Sequence, residues 1–363
     1  MSRAPQATIN LTALQHNLQR VQQIAPGAQV IAIIKADAYG HGIVRAAKSL
    51  DAADKFGVAG LEEALQLRNA GIRKPVVLLE GVFAVSDLSK AGLQNLEVVI
   101  HHISQLEMLE EYARTASNAA SRLNVWLKVD TGMHRLGFPP SIVQTVWQRL
   151  EAISLVKDIC IMSHLANADV IGDTTTDKQL ALFDTVAGGI DAKKSMANSA
   201  GILNWPTTHM DFVRPGLMLY GVSPFNQNVA ADHQLKPVMT LSSRLIAVNY
   251  FKQGDAIGYG GDWICPEDMS VGVVALGYGD GYPRHAKSGT PVLVNGQRTC
   301  LIGRVSMDMI CVDLRSLPGA NVGDPVILWG DGLPVEEVAQ HASTIAYELL
   351  CHVTQRVKFV ETR

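Results

Sequence analysis

From Asn10 to about Pro224 the chain alternates short, wholly apolar runs with longer stretches in which apolar residues recur at helical spacing. Val30–Ile34, Phe56–Gly60, Val76–Leu79, Val98–Ile100, Val125–Val129 and Ile159–Met162 read as buried parallel strands. Weaker candidates follow at Ser195–Ala197 and Phe212–Arg214. Between them Thr12–Ile24, Leu61–Ala70, Gln105–Ala116, Ile142–Leu150 and Lys178–Val186 carry the period of amphipathic helices. Eight strand–helix units predict a (β/α)8 TIM-type barrel. A doubly wound sheet shares the alternation, but no Gly-x-Gly-x-x-Gly opens a helix to support one.

Beyond Pro224 the pattern changes. Thr240–Phe251, Met269–Ala275, Pro291–Val294, Ile310–Leu314, Val326–Trp329 and Val357–Val360 alternate or are β-branched, with Gly, Pro, Asn and Asp clusters between them. Asn295-Gly296 predicts a two-residue hairpin between Val292–Val294 and Arg298–Ile302. One helix is expected, Val335–Cys351. Ala7–Ile9 reads as a strand that pairs with this second region. The chain therefore divides into a barrel over 10–232 and a mostly-β domain made of 1–9 and 233–363.

Composition narrows the class. With 363 residues, 47% hydrophobic and 18% charged, the chain predicts a well-packed globular enzyme. A net charge of -3, with lysines and arginines scattered, gives no footprint for nucleic acid. Met1–Gln6 lacks an apolar signal core, and no run approaches a membrane span. Five widely spaced cysteines show no metal-binding pattern, which fits reduced thiols in the cytoplasm.

The candidate chemistry lies at predicted strand ends, where barrels carry their catalytic groups. Lys35-Ala36-Asp37-Ala38-Tyr39-Gly40-His41-Gly42 follows the first strand. A lysine there has an amine at the barrel mouth, and desolvated lysines are Schiff-base nucleophiles. Lys128 and Arg135 bracket the end of the fifth strand, His164 ends the sixth, Asn198 and Ser199 the seventh, and Arg214-Pro215-Gly216 the eighth. Amines, guanidiniums, an imidazole and a hydroxyl at five strand ends point to an anionic ligand.

These motifs, with Ile257-Gly258-Tyr259-Gly260-Gly261, Gly277-Tyr278-Gly279-Asp280-Gly281-Tyr282 and Val305-Ser306-Met307-Asp308-Met309, resemble those of bacterial alanine racemases in order and spacing. The likeness is closest to the enterobacterial type, whose catabolic form serves D-alanine use. It implies a fold type III pyridoxal-phosphate enzyme interconverting L- and D-alanine by two-base proton exchange at Cα of the cofactor-bound substrate. D-Alanine is also a peptidoglycan precursor.

Carried over, the resemblance gives Lys35 the pyridoxal 5'-phosphate and the role of one base, and Tyr259 that of the other. Tyr39, Ser199, Gly216, Leu217 and Tyr347 would hold the phosphate, with His164 and Asn198 also at the cofactor. Arg135 would meet the cofactor's phenolic oxygen and the substrate carboxylate, and Met307 would meet that carboxylate through its amide. Tyr278 and Tyr347 would gate entry. Lys128 would be carbamylated, because an unmodified amine beside Arg135 puts like charges in a desolvated site. The β domain of one subunit would complete the other's site, making a homodimer obligatory. Tyr39, Tyr259, Met307 and Tyr347 would leave room for little beyond a methyl group.

Arg214 bears on the reaction. Barrel-type pyridoxal decarboxylases place an acidic residue at the ring nitrogen, whereas arginine keeps its proton. The ring is then a weaker electron sink, which leaves reversible proton exchange. The alternatives are a racemase of broader or different specificity, such a decarboxylase, or a non-catalytic cofactor carrier, which would lack the β domain. A metal-dependent hydrolase fits poorly, since His41, His101, His102 and His164 form no ligand pattern with carboxylates.

Overall fold

The computed structural model describes residues 4–115 and 122–363. Residues 1–3 of the N-terminal strand segment and Ala116, the expected end of one helix, lie outside the described residues. Two compact units emerge: one of 17–38 and 42–219, the other of 1–16, 39–41 and 220–363.

The first unit contains a closed eight-stranded parallel barrel. Strand β1 (Gln6–Asn10) belongs elsewhere, so the barrel runs β2 (Gln29–Ile33), β3 (Lys55–Val58), β4 (Val76–Leu78), β5 (Leu96–Ile100), β6 (Leu123–Lys128), β7 (Val156–Met162), β8 (Lys194–Ser195) and β9 (Phe212–Val213). Closure comes from β9 pairing with β2, in the register Gln29↔Phe212 and Val30↔Val213. Every strand expected from its apolar run is present, and the runs are apolar because both faces are covered. Val30 to Ile34 and Val76 to Leu78 are buried throughout. The two weak candidates are weak for a physical reason: β8 and β9 have only two residues each in the ladder.

The second unit is built on a sheet ordered β13-β16-β15-β14-β17-β10-β1-β18, with an added β10–β13 pairing. Its strands are β10 (Met239–Phe251), β13 (Met269–Val274), β14 (Pro291–Val294), β15 (Gln297–Ile302), β16 (Ile310–Asp313), β17 (Pro325–Trp329) and β18 (Lys358–Thr362); β11 (Ala256–Ile257) and β12 (Trp263–Ile264) form a small ribbon. The strand expected at Ala7–Ile9 joins this sheet, antiparallel to β10 and parallel to β18. Register irregularities at Leu241/Ser242 and Leu245/Ala247 let β10 serve β1 and β17 with its first half and β13 with its second. The Asn295-Gly296 hairpin forms as expected: both residues have positive φ, +51° and +73°, as a type I′ turn requires.

One expectation fails. The single helix read over Val335–Cys351 is two, Val335–His341 and Ala346–His352. Ser343 takes a left-handed φ of +54°, and the Thr344 hydroxyl turns to the Glu348 carboxylate, starting a new helix. The Ser-Thr-Ile run offers the backbone local partners that compete with helix continuation. Among the described residues no helix is long and apolar enough to cross a membrane.

Candidate active site

The stretch after β2 is held in an unusual conformation. Ala36, Asp37, Ala38 and Tyr39 have φ between +52° and +56°, and Gly40 follows at +77°. Four consecutive non-glycine residues in a left-handed turn are each disfavoured by about 1–2 kcal/mol. The sequence itself offers permissive backbone only at Gly40 and Gly42. Surrounding hydrogen bonds impose the rest: Ala36 N–H donates to Glu63 Oε1 at 2.7 Å, Ala38 N–H to Ile34 O at 2.9 Å, and Ile43 N–H to Asp37 Oδ1 at 2.7 Å. Lys35 is thereby fixed at the start of a turn that cannot relax into an ordinary helix.

The C-terminal ends of the barrel strands gather positive charge. Arg214, directly after β9, is 5% exposed. Its Nη1 donates to Ser195 Oγ at 2.6 Å, and its Nη2 to Ser163 O at 2.5 Å and Met196 O at 3.3 Å. Burial lowers its pKa to about 10, which still leaves it charged at neutral pH. Nη2 also lies 3.3 Å from His164 Nδ1. Because arginine only donates, that nitrogen accepts, and His164 is neutral with its proton on Nε2. Burial and then the charges of Arg214, Lys128, Arg135 and Lys35 hold His164 well below the usual imidazole range.

Lys128 feels the same field. Burial, then Arg214, Arg135 and Lys35, bring its pKa down to about 8, with Glu80 opposing. Asp130 does not neutralise it. Its Oδ1 accepts from the Gly132 and His134 amides, both at 3.0 Å, and its Oδ2 faces His134 Nδ1 at 3.1 Å. These bonds fold the loop after β6, and Phe138 N–H closes it on Lys128 O at 2.9 Å, with Arg135 exposed near the tip.

At the end of β8, Asn198 Oδ1 caps the helix Ser199–Asn204 by accepting from Gly201 N–H at 2.9 Å. Ser199 Oγ, one residue on, receives the Gly216 amide at 3.0 Å and the Met218 amide at 3.3 Å, and Leu217 begins a 3-10 turn between them. Converging amides at a helix start favour an anion.

Four residues in this cluster were not singled out in the sequence. Ser195, wholly buried, accepts from Arg214 while donating to Phe212 O at 2.8 Å. Gln179 donates to His164 O at 2.9 Å and Thr131 Oγ1 at 3.3 Å, and accepts from Ala166 N–H at 2.8 Å. Thr131 Oγ1 in turn meets Ser163 Oγ at 2.7 Å. Gln179 thus ties the loop after β6 to the loop after β7. Gln179 shares the buried face of the helix Thr175–Ala187 with Thr176, Phe183 and Ala187, and a polar residue in register with Phe183 was the available signal.

The remaining expected residues belong to the second unit. Tyr39 stacks on Tyr220 with centroids 4.8 Å apart and lies 5.9 Å from Tyr347. Burial, then Tyr347 and Cys351, push the Tyr39 hydroxyl above the usual phenol range. The Tyr278 and Gly279 amides donate to Ser306 O at 3.0 Å and Met307 O at 2.8 Å, bringing Tyr278 and Met307 onto one turn. Tyr259 follows Gly258, beside the Arg304–Asp262 ion pair. Tyr259 is 68% exposed and Met307 52%.

The family described as alanine racemase, N-terminal domain, matches residues 9–224, and its C-terminal domain matches 238–361. An alanine racemase of Nitrosococcus oceani is 56% identical over 354 residues, covering 97% of this chain and 98% of the relative. One from Coxiella burnetii is 50% identical, covering 99% of each. The crystal structure of the biosynthetic alanine racemase from Pseudomonas aeruginosa superposes with a TM-score of 0.95 at 44% identity, over 99% of this chain and 100% of that one. A barrel with this charged strand-end cluster, followed by this β domain, places the chain in the alanine racemase family.

Proposed function

We propose that this protein interconverts L- and D-alanine in the cytoplasm, with pyridoxal phosphate held on Lys35 and with two copies of the chain sharing each site. The observation that carries this reading is Arg214, a buried guanidinium bonded through both terminal nitrogens that donates hydrogen bonds but keeps its proton. No group at that position can protonate a ring nitrogen placed against it. The donor set suits the cofactor: an amine at the first strand end, and amides converging on Ser199 for a phosphate. Pyridoxal phosphate, when bound, supplies the electron withdrawal that acidifies the substrate Cα–H.

Lys35 Nζ exchanges the Cα proton on one face, and Tyr259 Oη of the second copy exchanges it on the other. A tyrosine 68% exposed in one chain suits service to another. Arg135 orients the substrate carboxylate, and the Met307 amide meets it from the partner side. Tyr39 and Tyr347 close on the phosphate, while Tyr278 and Tyr347 restrict entry to small side chains. His164, kept neutral, donates from Nε2, and Asn198 holds the Ser199 turn. Lys128, with an amine neutral for part of the time near pH 8, adds to carbon dioxide and loses a proton. The carbamate anion formed holds Arg135 and offsets the cluster's excess positive charge.

The test is complementation. Lys35→Ala and Tyr259→Phe are each incubated with L-alanine in D2O, alone and after mixing through a dissociation step. Each alone should yield no Cα-deuterated D-alanine. The mixture should recover about a quarter of wild-type activity, since half the dimers are mixed and each holds one complete site. Recovery of nothing would overturn the shared site. An inactive wild type would overturn the racemase reading itself.

A further inference from the structure

The opposite end of the barrel carries a second feature that the chemistry above does not use. A cavity of about 920 Å³ opens among the N-terminal ends of the strands. It is lined by Gln29 from β2, Lys55 from β3, Glu97 from β5, Asn124 from β6, Cys160 from β7 and Lys193, which precedes β8. Its size falls within the range of about 300–1,000 Å³ usual for small-molecule sites.

The floor is a finished network. Lys55 Nζ sits 2.5 Å from Glu97 Oε1, and Glu97 Oε2 accepts from Trp126 Nε1 at 2.7 Å. Lys55 Nζ also lies 5.1 Å from the Phe212 ring centroid. A second ammonium approaches that ring: Lys193 Nζ is 5.6 Å from the centroid, and among the described residues Lys193 makes no ion pair. Two cations thus converge on one ring, and of the two it is Lys55 that carries the Glu97 carboxylate. Beside them Asn124 Oδ1 is buried and receives no hydrogen bond from the protein. Burying an acceptor without a donor costs about 1–3 kcal/mol, so the cavity presents both an unmatched cation and an unmatched acceptor. Burial pushes the Cys160 thiol up to about 11, so the wall offers no thiolate for covalent capture.

We propose that this cavity binds a small α-amino acid as a second site remote from the racemisation centre, its carboxylate on Lys193 and its ammonium donating to Asn124 Oδ1. Charges of both signs line the cavity, Arg122 and Lys157 as well as Asp158 and Glu151, which suits a zwitterion better than a simple anion. The barrel face opposite the catalytic one reads by default as a stability face. Solvent-filled charge pairs would satisfy that default without an unmatched donor–acceptor set.

The probe is L-proline, whose secondary ammonium keeps two N–H donors and cannot replace Lys35 on the cofactor as a primary amine does. Holoenzyme is titrated calorimetrically with L-proline, and a proline-soaked crystal locates the ligand. One proline per chain at the Lys193 mouth is expected, weakened at least tenfold by Lys193→Ala and by Asn124→Leu. Propanoate, which has the carboxylate but no donor, should bind at least tenfold more weakly than proline. Lys193 is exposed, so Lys193→Ala should fold normally. Unchanged binding in that variant, proline seated beside Lys35 instead of Lys193, or no binding overturns the proposal, and each result leaves the racemase reading intact.

Discussion

Arg214 gives one guanidinium hydrogen to Ser195 Oγ at 2.6 Å, and Ser195 passes its own hydrogen to Phe212 O at 2.8 Å. The order of donors is forced, since arginine cannot accept and a carbonyl cannot donate. Ser195→Ala should leave one buried guanidinium hydrogen without an acceptor, destabilising the fold by about 1–3 kcal/mol. The freed guanidinium should also sample other orientations, lowering kcat about tenfold or more by the sensitivity of catalysis to misplaced groups. Urea denaturation and racemisation rates check both. Unchanged kcat with the expected stability loss would reduce Ser195 to packing.

Lys128 should make stability depend on pH only when it is a free amine. Its pKa falls from 10.5 to about 8 on folding, so the unfolded chain binds more protons between those values. Stability should then be lowest below pH 8 and rise from about 8 to 10.5. Guanidinium denaturation in carbon-dioxide-free buffer should show that rise, and bicarbonate should remove it, because a carbamate does not titrate there. Lys128→Met should be flat in both buffers. The same slope in Lys128→Met would assign it to another group.

Gly40 and Gly71 give a matched pair. Both have positive φ, +77° and +81°, but a Cβ on Gly40 would lie 2.2 Å from Leu350 O, while one on Gly71 meets nothing within 4 Å. Gly71→Ala should cost about 1 kcal/mol from backbone conformation alone. Gly40→Ala should cost at least about 3 kcal/mol, because clash adds to conformation. Thermal or urea melts of the two variants decide whether the Leu350 contact is as close in solution.

Glu97→Gln should be more damaging than removing the whole pair. It leaves the Lys55 ammonium, whose side chain is 17% exposed, without its carboxylate. Breaking a buried pair on one side costs about 3–5 kcal/mol, whereas replacing both partners by apolar groups is often neutral. Lys55→Met with Glu97→Met should therefore recover most of the loss. No recovery in the double variant would show that the Trp126 hydrogen bond, which the amide of Glu97→Gln can still accept and the side chain of Glu97→Met cannot, offsets the removal of the charges.

The sequence announced the barrel because buried parallel strands have no polar face to hide; Val30–Ile34 and Val76–Leu79 could be little else. It announced Lys35, His164 and Arg214 because barrel chemistry sits at strand ends. It did not announce Ser195 or Gln179, whose side chains matter only through partners 19 and 48 positions away. The break at Ser343 escaped for a related reason. Periodicity sees the apolar faces of both helices but not a single left-handed residue between them.

The turn after Lys35 has one more implication. Ala36 and Ala38 hold φ values of +52° and +56° in a chain of L-residues, whose mirror images would occupy that basin without strain. Chemical synthesis that inverted the stereocentre at either alanine should therefore steady the native turn where such inversion ordinarily destroys a helix. The segment that carries Lys35 would accept, as a building block, the enantiomer that its own family is named for making.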